Sequence, residues 1–400
     1  PRDITVTILT GHTDHVLAAS FNANGTLVMS ASKDARIKVW DVSSGKVVTT
    51  TDIPHTNANV PVYSMYVQDD HQLVIGRVWT TLPAQEGDGF DNYPQYRHSR
   101  INIGDSSGVS QSYAGWQNVI HKHNTNLPKQ TPPAVSISSL KIHPQLIAGT
   151  EPQQVVIWGH RGRQNMNYLC KLFDSVKWNG VLLSVAFDLK CDKVVCGCSD
   201  TTIRIWNEAR LTPKQGGQTD CYKRLNGHTS GVNCAEFNPD STMVVSGSDD
   251  KTVRIWNVAS EGCLQVLVGH MNRVRSVQFS HCSSSIVSGS DDQTVRIWGV
   301  DEISATKSIN QPVGSPDTNG LVIGLDGIPR LRARSRRLTS ATPTVWMPDG
   351  NIQPPRSCDG QGHLMLAGHK GCVTSVRFSP DAHQVVSTSS DKTVRIWKLV

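Results

Sequence analysis

Four stretches of the 400-residue chain repeat one frame: a histidine, a serine 18 residues later, an aspartate 4 residues after the serine and a tryptophan 6 residues after the aspartate. The members of the frame are His12, Ser30, Asp34 and Trp40; His228, Ser246, Asp250 and Trp256; His270, Ser288, Asp292 and Trp298; and His369, Ser387, Asp391 and Trp397. Four copies in register predict that the chain stacks copies of one small unit. Stacked units usually build an extended binding surface rather than a single active site.

The best copies of the unit cover residues 227–258, 269–300 and 368–400. Each contains three short runs rich in Val, Ile, Phe and Trp, separated by turn sequences such as Asn-Pro-Asp and Ser-Asp-Asp. Short β-prone runs with polar punctuation predict antiparallel strands. Weaker copies at 60–115, 134–173 and 176–224 bring the number of units to seven.

This pattern resembles the WD-repeat, or G-protein-beta-like, β-propeller family. The blades of that family are four-stranded sheets about 40–45 residues long with a Gly-His and a Trp-Asp signature. Two Gly-His pairs of this chain lie 42 residues apart, and Trp40-Asp41 keeps the literal Trp-Asp pair. The resemblance implies an all-β fold, a closed propeller of four-stranded antiparallel blades. It also implies that the N-terminal strand, within 3–10, completes the last blade and closes the ring.

The sequence favours seven blades, with an eighth, degenerate blade at 308–366 as the alternative. Trp346 lies about one blade length from Trp298 and from Trp397, but no Gly-His precedes it, and the serine place of the frame holds Arg336. Residues 1–400 are expected to form one propeller domain. Long insertions are predicted at 78–100, 116–133, 208–221 and 301–363.

The resemblance implies that the four framework residues of a repeat form a buried hydrogen-bonded chain. A buried indole N–H needs an acceptor, serine can link it to histidine, and aspartate fixes the histidine tautomer. Ser, His and Asp also suggest a hydrolytic triad, but a triad needs one copy in one cleft. The Gly-x-Ser-x-Gly match at 104–108 aligns with a turn at 41–45. We therefore expect no enzymatic activity.

Residue composition also bears on metal sites, cellular location and membrane insertion. Cys196 and Cys198 align with serines of the best repeats, which predicts small buried side chains rather than a metal site, so we expect no metal and no cofactor. Free thiols indicate the cytoplasm, with the nucleus as an alternative. The longest apolar run, near 181–187, is too short to span a membrane, so no membrane insertion is expected.

The net charge of +6 comes largely from one arginine run. Its members are Arg330, Arg332, Arg334, Arg336 and Arg337. This pattern predicts a nearly neutral propeller body with one basic loop that could bind phosphate or an acidic partner. A merely solvated loop is the alternative.

The second candidate site is the narrow top face, which the resemblance implies is formed by the loops between blades. The candidate partner-binding residues are His15, Lys33, Asn233, Asp249, Arg273, Arg275, Asp291, Thr374 and Ser390. The resemblance implies that the two arginines lie beside Asp249 and Asp291 in a mixed-charge mouth. Arginine is a frequent interface anchor.

The predicted function is a non-enzymatic scaffold or adaptor that docks several protein or peptide partners on propeller surfaces within a multiprotein complex. Two alternatives stay open. The chain could be the sensing module of a larger nucleotide-binding signalling protein. It could also belong to an RNA-associated assembly and contact RNA through the arginine run.

Overall fold

The computed structural model describes residues 4–52, 62–69, 72–79, 95–102, 140–142, 146–151, 154–160, 166–174, 180–190, 192–207, 218–300, 321–323, 329–331, 344–346, 352–353 and 363–399. These residues form β-strands joined by turns, and none of them lies in an α-helix. The predicted all-β fold is confirmed. Consistently, the described part of the chain contains no helix with the length and apolar character needed to cross a membrane.

The strands of the first half are β1 Thr5–Leu9, β2 Val16–Phe21, β3 Leu27–Ser32, β4 Arg36–Asp41, β5 Val47–Asp52, β6 Val62–Asp69, β7 Gln72–Trp79, β8 Gln95–Asn102, β9 Leu140–Ile142, β10 Leu146–Glu151, β11 Gln154–His160, β12 Met166–Phe173, β13 Ala186–Phe187, β14 Lys193–Gly197, β15 Ile203–Asn207 and β16 Gln218–Asp220.

The strands of the second half are β17 Lys223–Leu225, β18 Val232–Phe237, β19 Met243–Ser248, β20 Val253–Asn257, β21 Cys263–Leu267, β22 Val274–Phe279, β23 Ser285–Ser290, β24 Thr294–Gly299, β25 Leu321–Ile323, β26 Pro329–Leu331, β27 Thr344–Trp346, β28 Ile352–Gln353, β29 His363–Ala367, β30 Val373–Phe378, β31 Gln384–Ser389 and β32 Val394–Lys398.

The strands assemble into antiparallel blades, which we number along the chain. From the inner to the outer strand they are blade 1 (β2-β3-β4-β5), blade 2 (β6-β7-β8), blade 3 (β9-β10-β11-β12), blade 4 (β13-β14-β15-β17), blade 5 (β18-β19-β20-β21), blade 6 (β22-β23-β24-β29) and blade 7 (β30-β31-β32-β1). Two blades carry an additional strand: β16 runs parallel to β12, and β27 runs parallel to β29. β28 then pairs with β27.

The N-terminal strand completes the last blade. β1 pairs antiparallel with β32, from Thr5 opposite Lys398 to Leu9 opposite Val394. Inner strands also contact one another between successive blades, including β2 with β6, β18 with β22, β22 with β30, and β30 with β2. These are the contacts expected of a closed ring, and closure of the whole ring stays a prediction.

Valines and tryptophans fill the layers between blades. The inner face of Gly247 in β19 lies so close to blade 6 that a Cβ there would be 2.5 Å from Cγ1 of Val274. The same close approach joins Gly289 to Val373 of blade 7. Because interiors are close-packed, a larger side chain at these positions would push neighbouring blades apart.

The segment 308–366 adds strands to the fold without making a separate blade of its described residues. β25 pairs with β26, whereas β27 and β28 extend blade 6. This arrangement favours seven blades over eight.

Three of the predicted insertions contain residues of strands. The range 78–100 includes the end of β7 and the start of β8, 208–221 includes β16, and 301–363 includes β25 to β28. The sequence of β8, QYRHSRIN, is polar and therefore predicts part of an insertion. The backbone of β8 nevertheless pairs with β7 along the whole strand. The insertion predicted at 116–133 lies outside the described residues.

Candidate functional site

The four framework sets each form one hydrogen-bonded chain. In blade 5, the indole N–H of Trp256 donates to Oγ of Ser246 at 2.8 Å, and this hydroxyl lies 2.7 Å from Nε2 of His228. Nδ1 of His228 lies 2.7 Å from Oδ2 of Asp250. These distances are consistent with a histidine that donates from Nδ1 to the carboxylate and accepts the serine proton at Nε2.

The other three sets repeat this geometry with distances of 2.7–2.9 Å. They are His12, Ser30, Asp34 and Trp40; His270, Ser288, Asp292 and Trp298; and His369, Ser387, Asp391 and Trp397. All four serines are fully buried. A serine that is shielded from solvent and already bonded to both tryptophan and histidine is unsuited to attack a substrate, so the geometry supports a structural role.

Burial favours the neutral form of three framework histidines, His12, His270 and His369, and hydrogen bonds keep the framework aspartates ionised by lowering their pKa. Burial lowers the pKa of His270 and His369, although hydrogen bonds to their aspartates oppose this shift. For Asp292, burial alone would raise the pKa, but the hydrogen bond and the charge interaction with His270, together with further hydrogen bonds, hold it well below its usual range. Each set of four framework residues therefore forms a fixed hydrogen-bonded network with its polar groups paired.

The same aspartates fix the loop that leads into each inner strand. Oδ2 accepts a hydrogen bond from the backbone N–H of the residue that follows the framework histidine, at 2.9–3.0 Å. These residues are Thr13, Thr229, Met271 and Lys370. We call the edge of the ring where these loops lie the His-loop end. The next residues of each loop are therefore presented from a pinned backbone.

A second backbone contact joins the two loops of a blade at the His-loop end. The N–H of Asp291 donates to the carbonyl of Arg273 at 2.9 Å, and the N–H of Lys33 donates to that of His15 at the same distance. The equivalent bond of blade 7 joins Ser390 to Cys372 at 3.0 Å. Among the predicted top-face residues, His15 is thus brought together with Lys33, and Arg273 with Asp291.

A bulge at the start of the inner strand directs one side chain in each of four blades. In blades 5 and 6, pairing between the first two strands shifts at Asn233 and at Arg275. Leu17 and Thr374 occupy the same place in blades 1 and 7. A bulge leaves its extra residue without an opposite partner and re-aims its side chain.

The mixed-charge mouth predicted from the sequence lies between blades 5 and 6. Arg275 forms a two-pronged contact with Asp291, with its Nε 2.9 Å from Oδ1 and its terminal nitrogen 2.7 Å from Oδ2. The hydrogen bond to Asp291 raises the pKa of Arg275. Nε of Arg273 lies 3.6 Å from Oδ1 of Asp249, and the side chain of Arg273 is 55% exposed. We call Arg273, Arg275, Asp249 and Asp291 the charged mouth.

Two predicted partner-binding residues, Asn233 and Thr374, form hydrogen bonds to the neighbouring blade. The amide of Asn233 donates to Asp249 at 2.7 Å and to the carbonyl of Val274 in the next blade at 3.1 Å. The hydroxyl of Thr374 donates to the carbonyl of Val16 in blade 1 at 2.6 Å. These side chains join neighbouring blades, because their short polar groups reach the adjacent inner strand. This contact argues against a primary role in partner binding.

Sequence reasoning missed a row of contacts further along the inner strands. Arg377 of blade 7 pairs with Glu236 of blade 5 at 2.8 Å, which spans the intervening blade 6. In blade 6, the carbonyl of the Gln278 side chain accepts from the backbone of Phe378 at 2.8 Å. All three polar residues directly precede the phenylalanine that ends an inner strand. That shared repeat position was the available signal.

The arginine run lies largely outside the described residues. Only the backbone of Arg330 is described, in β26 opposite Val322. The two aligned cysteines of blade 4 are buried, and burial raises the pKa of Cys198 to about 12. In the part of the chain that the structure describes, no three His, Cys, Asp or Glu side chains form a group that could hold a metal ion.

Comparison with known proteins agrees with this architecture. The family model "WD domain, G-beta repeat" matches residues 4–41, 175–207, 219–257, 261–299 and 361–398. Most of these ranges begin near the outer strand of one blade and end with the third strand of the next. The pairing of β1 with β32 shows the same offset, because the first matched range begins at the outer strand of blade 7.

Two curated relatives are similar to parts of the chain. The nuclear distribution protein nudF of Aspergillus niger is 26% identical over 243 residues, which cover 58% of this chain and 47% of the relative. Protein ALTERED SEED GERMINATION 2 of Arabidopsis thaliana is 37% identical over 67 residues, or 17% of this chain and 9% of the relative. The matches span about half or less of these relatives. The family match and the blade geometry together show that the chain carries five WD40 repeats.

Proposed function

We propose that this chain is a non-enzymatic scaffold that docks protein or peptide partners at the charged mouth and holds them in a multiprotein complex. WD40 repeats imply a protein-interaction scaffold role, and the family is generally non-enzymatic. The observation that carries the proposal is Arg273, a half-exposed cation on a pinned loop. The proposal includes a cytoplasmic location, with the nucleus as the alternative.

The mechanism is rigid display. The framework aspartate fixes the loop backbone, and Asp291 orients the guanidinium of Arg275 through two contacts. Because little side-chain and loop freedom is left to lose, a partner can bind this surface at a lower entropic cost. Arginine is enriched among residues that dominate binding energy, which favours Arg273 and Arg275 as anchors.

The charges also limit the partner. Arg275 is already neutralised by Asp291, whereas Arg273 has one longer contact to Asp249. Met271, 74% exposed, lies two residues before Arg273 in the same loop. We therefore expect a partner segment that places a carboxylate on Arg273 and an apolar side chain on Met271.

An affinity pull-down with quantitative mass spectrometry tests the proposal. The baits are the intact chain, the double variant Arg273→Glu/Arg275→Glu, and a chain with residues 329–338 replaced by a Gly/Ser linker. Lys46→Glu/Lys190→Glu is the matched control, because it reverses two exposed cations in turns at the opposite end of the strands.

We expect the mouth variant to lose partners that the control and the linker variant keep. Loss from the linker variant alone would place binding in the arginine run, and RNA among the lost material would favour the RNA-associated alternative. A partner set unchanged in every variant would contradict docking at the mouth.

A further inference from the structure

The outer edge of a blade accepts an added strand at two places in this molecule. In blade 3, β16 lies alongside β12, and in blade 6, β27 lies alongside β29. Both added strands run parallel to the outer strand that receives them. The chain thus shows twice that the outer edge of its blades can be extended by strand addition.

The two added strands overlap at two equivalent positions of the outer strand. The residue two positions before Trp158 of β11 is opposite Lys171, and the residue two positions before Trp298 of β24 is opposite Met365. Both of these residues, and the one that follows each, are paired with the added strand. In blade 1 the equivalent residues are Thr50 and Thr51, opposite Lys38 and Ile37.

Blade 1 has the same outer edge, with which no added strand pairs in the part of the chain that the structure describes. Among the strands that the structure describes, β5 has β4 as its neighbour on one side and none on the other. β5 has six residues, whereas β21 and β1 have five and β17 has three. Its sequence, VVTTTD, is rich in the β-branched residues that suit extended backbone.

Two exposed apolar side chains mark the start of this edge. Val47 and Val48 are 42% and 56% exposed at the start of β5, whereas the first four side chains of β21 are half-buried. The outer strand of blade 7 is partly covered, because a Cβ built on Gly45 in the preceding turn of blade 1 would lie 2.9 Å from Cγ2 of Thr7. β5 therefore differs from β21 and β1 in exposing two adjacent apolar side chains, whereas β1 exposes Ile8, at 44%, as its one exposed apolar side chain.

We propose that the outer edge of β5 binds an extended segment of a partner protein, which adds to blade 1 as a fifth strand parallel to β5 and pairs with Thr50 and Thr51. Main-chain hydrogen bonds would supply affinity, and contacts with Val47 and Val48 would favour apolar or β-branched side chains. This surface is separate from the charged mouth and does not depend on it.

The parallel orientation favours a partner over a second copy of this chain. Two identical edges related by a two-fold axis pair antiparallel, and a head-to-tail contact between copies does not close in a dimer. Both internal examples are parallel. A foreign segment meets this geometry without any symmetry requirement.

Selection of displayed dodecapeptides on the full chain tests the proposal, with counter-selection on Val47→Lys/Val48→Lys. Val268→Lys is the matched control, since Val268 is 52% exposed beside the outer strand of blade 5. Recovered peptides should bind the β5 variant about tenfold or more weakly, and should bind the control and Arg273→Glu/Arg275→Glu unchanged. Methylation of the peptide backbone nitrogens should abolish binding.

Amide hydrogen exchange locates the contact. In the free chain, alternate amides of Thr49–Asp52 should exchange fast, and the peptide should slow them. The proposal is overturned if no peptide depends on Val47 and Val48, if protection lies elsewhere, or if N-methylated peptides still bind. Full protection of β5 in the free monomer would show that the chain itself covers this edge, and a dimer abolished by the β5 variant would identify a second copy as the occupant.

Discussion

Blades 4 and 5 hold the same tryptophan position with different chemistry. In blade 5, Ser246 accepts the indole proton of Trp256 and bonds to the framework histidine. In blade 4, Cys196 occupies the serine place, and Asp200 pairs with Arg204 at 2.9 Å in the absence of a framework histidine. The fold therefore tolerates loss of the histidine where an arginine satisfies the aspartate.

The two networks also differ in reach. All partners in blade 5 belong to one repeat, whereas Arg204 of blade 4 also donates to Asp174, at 2.7 Å, and Asp174 directly follows β12 of blade 3. Arg224 contacts the same carboxylate. The His-Ser-Asp-Trp frame thus stabilises blade 5 from within. The arginine contacts that replace it in blade 4 also link that blade to blade 3. This difference leads to the following predictions.

The largest effect is expected from Asp174→Asn. The Asp174 side chain is only 1% exposed, and removal of its charge leaves the buried Arg204 with Asp200 as its remaining carboxylate partner among the contacts described here. We expect a loss of about 3–5 kcal/mol in the free energy of unfolding, measured by urea denaturation. Asp240→Asn, in an exposed turn, is the control. A loss below about 1 kcal/mol would show that the link between blades 3 and 4 is energetically unimportant.

Truncation of the side chain at the serine position should destabilise blade 5 more than blade 4. Ser246→Ala leaves the buried Trp256 N–H and the histidine Nε2 without their partner, so we expect a loss of about 2–4 kcal/mol. Cys196→Ala removes a small sulfur from an apolar cluster and should cost about 1 kcal/mol. Thermal or urea unfolding of both variants measures the difference, and equal losses would mean that the hydrogen-bonded chain adds nothing beyond packing.

Acid should destabilise blades 6 and 7 through their framework histidines, His270 and His369. Burial lowers the folded-state pKa of His270 and His369 below the ordinary 6.5, so the unfolded chain binds more protons once the pH falls below about 6.5. Stability should therefore be complete above that pH and decline below it, by at most about 1.4 kcal/mol per pH unit for each histidine. His270→Gln should reduce the slope of unfolding free energy between pH 7 and pH 5 relative to the unsubstituted chain. Equal slopes for the two proteins would contradict this assignment.

The smallest effect concerns the turn after the framework aspartate. Thr201 in blade 4 and Lys251 in blade 5 adopt φ values of 75° and 71°, a region that favours glycine. Because a β-branched residue is more strained there, Thr201→Gly should stabilise the chain by about 1 kcal/mol and Lys251→Gly by about half as much. Melting temperatures compare the two variants, and the reverse order would refute the strain argument.

The sequence predicted the parts of the molecule that repeat. The network of His228, Ser246, Asp250 and Trp256 was implied by the resemblance to the WD-repeat family, because one unit of the sequence carries all four residues. The contacts of Asp174 could not be predicted, since its partners come from the next blade and lie outside the frame.

The candidate site shows the same division. The juxtaposition of Arg275 and Asp291 was predicted because both side chains come from one blade. The use of Asn233 and Thr374 between blades was not, because it depends on how closely neighbouring inner strands approach. The added strands β16 and β27 were also missed, since three-residue pairings carry little pattern.

Amide hydrogen exchange of the chain, alone and bound to a partner recovered in the pull-down, tests the central claim most directly. Rigid display predicts slower exchange in the loop 271–275 and in the turns that contain Asp249 and Asp291, with the framework strands unchanged. Protection confined to other surfaces, or a broad change across the framework strands, would contradict docking at a preformed charged mouth.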